Sequence, residues 1–307
     1  MNNDKVSWRG SFPAVVTPFK KDGALDEHLF TENLELLMDE GADGFVVCGS
    51  TGESWSLDGD EKVRLAELAV QVVGGKVPVI VGTGEIRTDR VVDVSIRVRD
   101  VGASGILVVT PYYAEVDQGA IVAHYRAVSD AVCCPIVLYN HPQTTGVNLD
   151  AGYIAQLAEI EWVVATKESA NDISQMYQLL FQFGDMIEVI AGYTAKHGAA
   201  AAFMGCPAFI GATETQVLGA EGIGLFALGA AGDVDGARRV QKRASMLGPI
   251  GKIGATPAGL KAAMNLLGRP GGHCRSPIPD LSNAQREKVR EVLDSLDLFS
   301  SPACRLT

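Results

Sequence analysis

Residues 135–140 read PIVLYN, apolar from Pro135 to Tyr139 before the chain turns polar at Asn140. Apolar character that is continuous rather than alternating suits a strand buried on both faces, and such strands are usually parallel. The same kind of run recurs on either side. SFPAVV (11–16), GFVVCG (44–49), VPVIVG (77–82) and GILVVT (105–110) precede it; WVVAT (162–166), IEVIAG (187–192) and PAFIGA (207–212) follow. Helical patterns lie between the runs. Phe30, Leu34, Leu37 and Met38 fall at i, i+4, i+7 and i+8, and Gly41 beyond them is a suitable C-terminal stop. Asp58 with Glu61 has the form of a capping box opening KVRLAELAVQVV, with Gly74 and Gly75 where that helix should end. Segments 88–101, 118–132, 149–159 and 171–183 repeat the scheme. Candidate strands alternating with helices in this way predict an α/β chain folded as a (β/α)8 TIM barrel rather than a doubly wound sheet. After residue 215 the pattern is helical only, in GARRVQKRASML, PAGLKAAMNLLG and NAQREKVREVLDSL. The expected organisation is a catalytic barrel over 1–225, with additional C-terminal helices over 226–307 packed on it.

Composition narrows the function classes. The chain has 307 residues, 47% hydrophobic and 21% charged, with no Pro/Ser/Gly tract or long like-charge run of the kind that marks a linker. A net charge of −11 argues against a nucleic-acid partner, because such binding draws on clustered Lys and Arg. No apolar stretch approaches the roughly 20 residues of a spanning helix, and MNNDKVSWRG lacks the apolar centre of a signal peptide. A cytoplasmic location is expected, with no membrane partner. The six cysteines (Cys48, Cys133, Cys134, Cys206, Cys274, Cys304) form no C-x-x-C, and none pairs with a histidine at zinc-like spacing. No metal and no organic cofactor are expected, and several of these cysteines read as small core residues.

In a barrel, chemistry gathers where strands end at their carboxyl side, so residues just after each apolar run matter most. Those residues are CGSTGE (48–53), TPYY (110–113), YNHPQTTG (139–146) and TKES (166–169). GSTGE could wrap an anion with backbone N–H groups and the Ser50 and Thr51 hydroxyls, or be an ordinary βα turn. It is not a nucleophile elbow, since Cys48 stands where G-x-S-x-G requires glycine. Tyr139, ending a buried strand, could simply pack, or could move protons opposite an amine and a carbonyl. Lys167 is the sharpest case. An ammonium at the edge of a core is costly unless paired, solvated or deprotonated, and a neutral amine can add to a ketone to give a Schiff base. The alternative is a surface pair with Glu168. Two dinucleotide-like decoys fail: GIGLFA (222–227) follows LGAEG rather than a strand, and GTGEIR (82–87) has Arg87 at the third small position. No Walker-type loop is present.

Together and in this order, GSTGE, TPYY, YNxPxxTG and a strand-borne TKE resemble the dihydrodipicolinate synthase and N-acetylneuraminate lyase family of pyruvate-type class I aldolases, over nearly the whole chain. The resemblance implies a cofactor-independent lyase acting on a small-molecule 2-oxo acid and a homo-oligomer, often a tetramer built from two tight dimers. It implies Lys167 as the Schiff-base lysine, Tyr139 as the proton-transferring tyrosine, Ser50 as its hydroxyl relay and Thr51, beside Gly52, as ligand of the 2-oxo acid carboxylate. Tyr113 matches the tyrosine that members insert into a neighbouring subunit's relay. Gly192 and Ile210 fall where backbone groups line the pocket beside the lysine.

Departures from the family pattern bear on the second half of the substrate. Lysine-pathway synthases usually carry arginine at position 144, and Thr144 cannot supply a bidentate cation. Sialic-acid lyases usually follow the glycine at position 192 with Tyr-Asp-Glu, whereas GYTA here lacks both carboxylates. The stretch 139–146 is closer to members acting on 2-keto-3-deoxy sugar acids or hydroxylated 2-oxo acids, with His141, Gln143, Thr144 and Glu168 as candidates for the tail pocket. A 4-hydroxy-tetrahydrodipicolinate synthase, and a catalytically silent 2-oxo acid sensor, are the alternatives.

Overall fold

Each of the apolar runs holds a strand: β1 Gly10–Pro13, β2 Phe45–Val47, β3 Val79–Gly82, β4 Gly105–Val109, β5 Ile136–Asn140, β6 Val163–Glu168, β7 Glu188–Ala191 and β8 Ala208–Gly211. They come from a computed structural model that describes residues 8–300; Cys304 and residues 1–7 of the amino-terminal stretch lie outside these. All pair in parallel, each with its sequence neighbours, and β1 pairs with β8 from Gly10↔Ala208 to Pro13↔Gly211. A parallel bridge between Ala14 and Val46 joins β1 to β2 and closes the cylinder. The result is a (β/α)8 TIM barrel.

The two-sided apolarity of the runs follows from this closure. Phe12, Val46, Ile80, Leu107, Val137 and Ile190 point into the barrel and pack together there. Their strand neighbours Phe45, Val47, Val81, Ile106, Val108 and Leu138 point outward against the helices. Successive strand residues face opposite ways, so both sets must be apolar, and each such buried side chain is worth ~1.5–3 kcal/mol of transfer free energy.

The outer layer comprises α1 Glu27–Asp39, α2 Gly59–Val73, α3 Thr88–Asp100, α4 Gln118–Val132, the short α5 Pro142–Thr145, α6 Ala151–Leu157, α7 Ile173–Phe183 and α8 Thr194–Phe203. The predicted capping box opens α2: the Glu61 amide donates to Asp58 Oδ1 at 2.9 Å and the Asp58 amide to Glu61 Oε2 at 3.1 Å. That helix ends on Gly74 in the left-handed conformation, while α1 stops at Glu40, one residue before the left-handed Gly41. Beyond β8 come α9 Thr213–Val217, α10 Ala220–Ile223, α11 Leu225–Ala230, α12 Val234–Met246, α13 Ala258–Leu266 and α14 Asn283–Asp294. α11 and α12 pack on α8, and Leu225 and Val240 join the barrel's outer core. α13 and α14 bury Leu260, Met264, Val289 and Leu293 in a second core that reaches Val16 and Val217 at the barrel's mouth. No helix of the described residues is long and apolar enough to cross a membrane. All five described cysteines are free; Cys48, Cys134 and Cys206 are buried, and burial pushes the Cys48 thiol up to about 12.

Candidate active site

Register decides which strand-end residues meet. β5 and β6 pair Tyr139 with Lys167 and Asn140 with Glu168, so the first pair shares one face of the sheet and the second pair the other. Tyr139 belongs to the interior cluster. Lys167 Nζ lies 4.1 Å from the Tyr139 ring centroid, and the two residues are 7% and 6% exposed. Glu168 faces outward, where it accepts from Asn140 Nδ2 at 2.8 Å, the Ala170 amide at 2.6 Å and Gln175 Nε2 at 3.2 Å. Burial raises its carboxyl pKa against the pull of those donors. The surface pair weighed for Lys167 and Glu168 is therefore absent: strand alternation sends the two side chains opposite ways, and Lys167 has no carboxylate within 4 Å among the described residues.

The GSTGE turn is locked from several sides. Cys48 and Glu53 both take left-handed backbone, and Ser50–Gly52 form a single 3₁₀ turn. The amides of Gly52, Glu53 and Ser54 donate to Gly49 O, Ser50 O and Gly49 O, so they are spent inside the turn rather than on an anion. Gly52 backs onto β1's continuation: Thr17 Oγ1 donates to its carbonyl at 2.8 Å, and a Cβ there would lie 3.1 Å from Val15 O. Glu53 Oε1 accepts from Lys261 Nζ at 2.5 Å and Oε2 from the Arg275 amide at 3.0 Å, in a buried pair that ties the turn to α13.

A cavity of about 220 Å³ opens above Lys167, bounded by Thr51, Tyr139, His141, Ile210, Tyr193 and Glu214, with Ser169, Thr194 and Thr213 in its walls. Lys167, Tyr139, Thr51 and Ile210 thus meet around one space. The half-buried Ser50 and the buried Gly52 flank Thr51 in the turn, and neither is on the cavity wall. Gly192 lies next to the wall with its amide donating to Glu168 O at 2.9 Å; a Cβ there would fall 2.0 Å from Ser169 Oγ, which is why only glycine fits. Thr144 is exposed on α5 and Gln143 turns its amide to Ala170 O, so neither reaches the cavity. Tyr113 follows β4 with left-handed backbone and is 96% exposed, projecting away from its own chain's cavity.

The expected His141 lines the cavity, and its partner there is Tyr193, one residue beyond Gly192. The His141 Nε2 lies 3.4 Å from the Tyr193 hydroxyl, and the two rings stack with centroids 6.1 Å apart. Burial, then the positive charge of Lys167, pushes the imidazole below its ordinary pKa, so it is neutral at pH 7. Glu214 is the other unforeseen wall. It is buried, accepts a very short hydrogen bond from Thr194 Oγ1, and its carboxyl is raised by burial. Gly211 makes room for it, since a Cβ there would lie 2.3 Å from Glu214 Oε1. Its signal was available: it stands three residues beyond the β8 strand, where a barrel presents site residues.

Geometry of this kind can hold a small anionic ketone against an amine and a phenol. The model of the dihydrodipicolinate synthetase family matches residues 7–296. The 4-hydroxy-tetrahydrodipicolinate synthase of Pelobacter propionicus is 36% identical over 293 residues, covering 95% of this chain and all of that one. Among solved structures, the dihydrodipicolinate synthase from Aquifex aeolicus superposes with a TM-score of 0.88 at 31% identity, over 94% of this chain and 98% of its own. The chloride-inhibited dihydrodipicolinate synthase from Acinetobacter baumannii, complexed with pyruvate, gives 0.89 at 27% identity, over 95% and 99%. This chain belongs to the dihydrodipicolinate synthetase family and is a lyase of the Schiff-base, pyruvate type.

Proposed function

We propose that Lys167 forms a Schiff base with a hydroxylated 2-oxo acid, such as a 2-keto-3-deoxy sugar acid, and that the chain catalyses aldol cleavage, dehydration or condensation through it. The carrying observation is the Lys167 amine lying over the Tyr139 ring in a cavity whose far walls carry the hydroxyl and imidazole groups of His141, Ser169, Tyr193, Thr194 and Thr213, with Glu214 as its one carboxyl. In the first step the Lys167 nitrogen adds to C2 of the 2-oxo acid. Its proton passes to the former carbonyl oxygen, which becomes the carbinolamine hydroxyl. Tyr139 protonates that hydroxyl, which leaves as water, and the C2=N iminium remains. The phenolate is reprotonated through the Ser50 hydroxyl and, in the assembled oligomer, through Tyr113 of a neighbouring copy. Thr51 holds the carboxylate with its hydroxyl and amide. The iminium then withdraws electrons from C3, so that a C3 proton can be lost or the C3–C4 bond can break.

Thr144 stands outside the cavity, and the cavity lining favours a tail without a second carboxylate, because no arginine is among its residues to grip one. A second reading has its own support: relatives at 33–36% identity are named 4-hydroxy-tetrahydrodipicolinate synthase. Steady-state turnover separates them. Turnover of one or more 2-keto-3-deoxy sugar acids, with no condensation of pyruvate and aspartate semialdehyde, is expected. Efficient condensation with inert sugar acids would overturn the first reading in favour of the second.

A further inference from the structure

Next to the Lys167 cavity lies a larger one of about 790 Å³, between the start of α8, residues 248–253 and α14. The two share Tyr193 and Ala195 as a common wall. That wall is a distinctive piece of backbone. Tyr193 takes a left-handed conformation, and His197 breaks the helical geometry of α8 one turn later. From the far side α12 holds it: Gln241 Nε2 donates to Thr194 O at 3.1 Å and Ala195 O at 2.8 Å, and Ser245 Oγ donates to Ala195 O at 2.8 Å. One face of the Tyr193 ring stacks on His141, which lines the inner cavity. Lys196 Nζ lies 4.9 Å from the ring centroid, in the outer one.

Charge distinguishes the outer cavity from the rest of the surface. The chain carries 37 acidic against 26 basic residues, yet Lys196, Lys252 and Lys288 all line this space, with Glu291 as its one carboxylate. None of the three has a carboxylate partner within 4 Å among the described residues; Lys196 donates instead to Asn171 Oδ1 at 2.6 Å. Three unpaired cations converging on a concave wall focus a positive potential, the more so where the remaining surface is acidic and repels anions.

We infer that this outer cavity is a cationic antechamber that binds the carboxylate of incoming 2-oxo acids and raises their concentration at the Tyr193–Ala195 wall, beyond which Lys167 lies. The inference rests on the Schiff-base reading for its purpose, but not for its test. A carboxylate held among Lys196, Lys252 and Lys288 gains Coulomb energy that salt screens over a Debye length of about 8–10 Å. A neutral ketone of the same size gains nothing from them.

The experiment has two arms, both on the full chain. In the first, pyruvate is titrated against the rate of cyanoborohydride trapping for wild type and a Lys196→Gln/Lys252→Gln/Lys288→Gln variant, at about 20 mM and about 500 mM salt. The half-saturating pyruvate concentration is expected to rise several-fold in the variant at low salt and to converge with wild type at high salt. Hydroxyacetone should give the same value in both proteins. In the second arm, lysine side-chain resonances are followed in a Lys167→Ala background, where no Schiff base can form. Pyruvate, but not hydroxyacetone, should shift the signals of Lys196, Lys252 and Lys288. Equal pyruvate half-saturation and equal salt dependence in the two proteins would overturn the antechamber, as would unshifted lysine signals. Absence of any trapped adduct on wild type would instead remove the Schiff-base reading, with the resonance shifts still deciding the antechamber.

Discussion

Replacing Lys261 by methionine should cost more stability than any other single change near the site. The ammonium is 2% exposed and spends its protons on Glu53 Oε1 at 2.5 Å, Thr17 O at 2.6 Å and His273 O at 2.6 Å. Methionine fills much of the volume but leaves Glu53, which is fully buried, as a charge without its cation, and the Thr17 carbonyl without the ammonium donor, while the His273 carbonyl keeps the Phe19 amide. Breaking one partner of a buried pair typically costs ~3–5 kcal/mol, and each orphaned buried acceptor adds ~1 kcal/mol or more. The reverse change, Glu53→Gln, keeps a carbonyl oxygen facing the ammonium and should cost only ~1–3 kcal/mol. Burial works against the Lys261 charge, and the Glu53 carboxylate restores much of it, so the pair stands or falls together. The assay is urea unfolding of the two single variants and the double variant, from which the coupling between the residues is obtained. Because Glu53 closes the turn that bears Ser50 and Thr51, Lys261→Met should also weaken pyruvate binding before it unfolds the barrel. A Lys261→Met protein within about 1 kcal/mol of wild type would refute the argument that this pair holds the turn.

Further outcomes follow from other residues. Tyr139→Phe keeps the ring over Lys167 but removes the proton donor, so kcat should fall by roughly 10²–10⁴ while slow trapping by borohydride persists; rapid-quench kinetics would show this. His124 on α4 is held neutral by burial, which lowers its pKa from 6.5 to about 4. Stability should therefore be lost as pH falls from 6.5 toward about 4, by roughly 3 kcal/mol from this group, because the unfolded chain binds the proton first. His124→Gln should flatten that part of the stability profile relative to wild type, measured by denaturant unfolding at pH 7 and pH 4.5; parallel profiles would count against it. Gly192→Ala puts a Cβ 2.0 Å from Ser169 Oγ and 2.7 Å from Glu168 O, so the strand end must move and half-saturating pyruvate in trapping should rise.

Much of the fold was legible in the sequence because the barrel imposes a local signature. A strand such as Ile136–Asn140, with Val137 inward and Leu138 outward, needs apolar residues on both faces, and that run survives in a single sequence. The capping box at Asp58 and the stop at Gly74 were likewise local, and both stand as read. Strand ends located Lys167, Tyr139 and Thr51, since the carboxyl side of a barrel strand is defined by where its apolar run stops. What could not be read were contacts set by closure of the barrel. Lys261 and Glu53 are separated by 208 residues, and neither position announces the other. Glu168 and Lys167 are adjacent in sequence yet point apart, because pleating outranks proximity. The cavity walls from Tyr193, Thr194 and Glu214 depend on β7 lying between β6 and β8, and the α5 residues Gln143 and Thr144 turn away once that short helix forms. Tyr113 is 96% exposed, and the role the resemblance implies for it would need a second copy of the chain.

The most direct test of the account is covalent. Wild type and Lys167→Ala are incubated with pyruvate and sodium borohydride, digested, and the modified peptide identified by mass spectrometry. The account predicts one reduced pyruvyl adduct on wild type, located on Lys167, and none at any position in the variant. An adduct on another lysine, or none on wild type, would contradict the claim that Lys167 is the nucleophile and leave it a structural lysine over an aromatic ring.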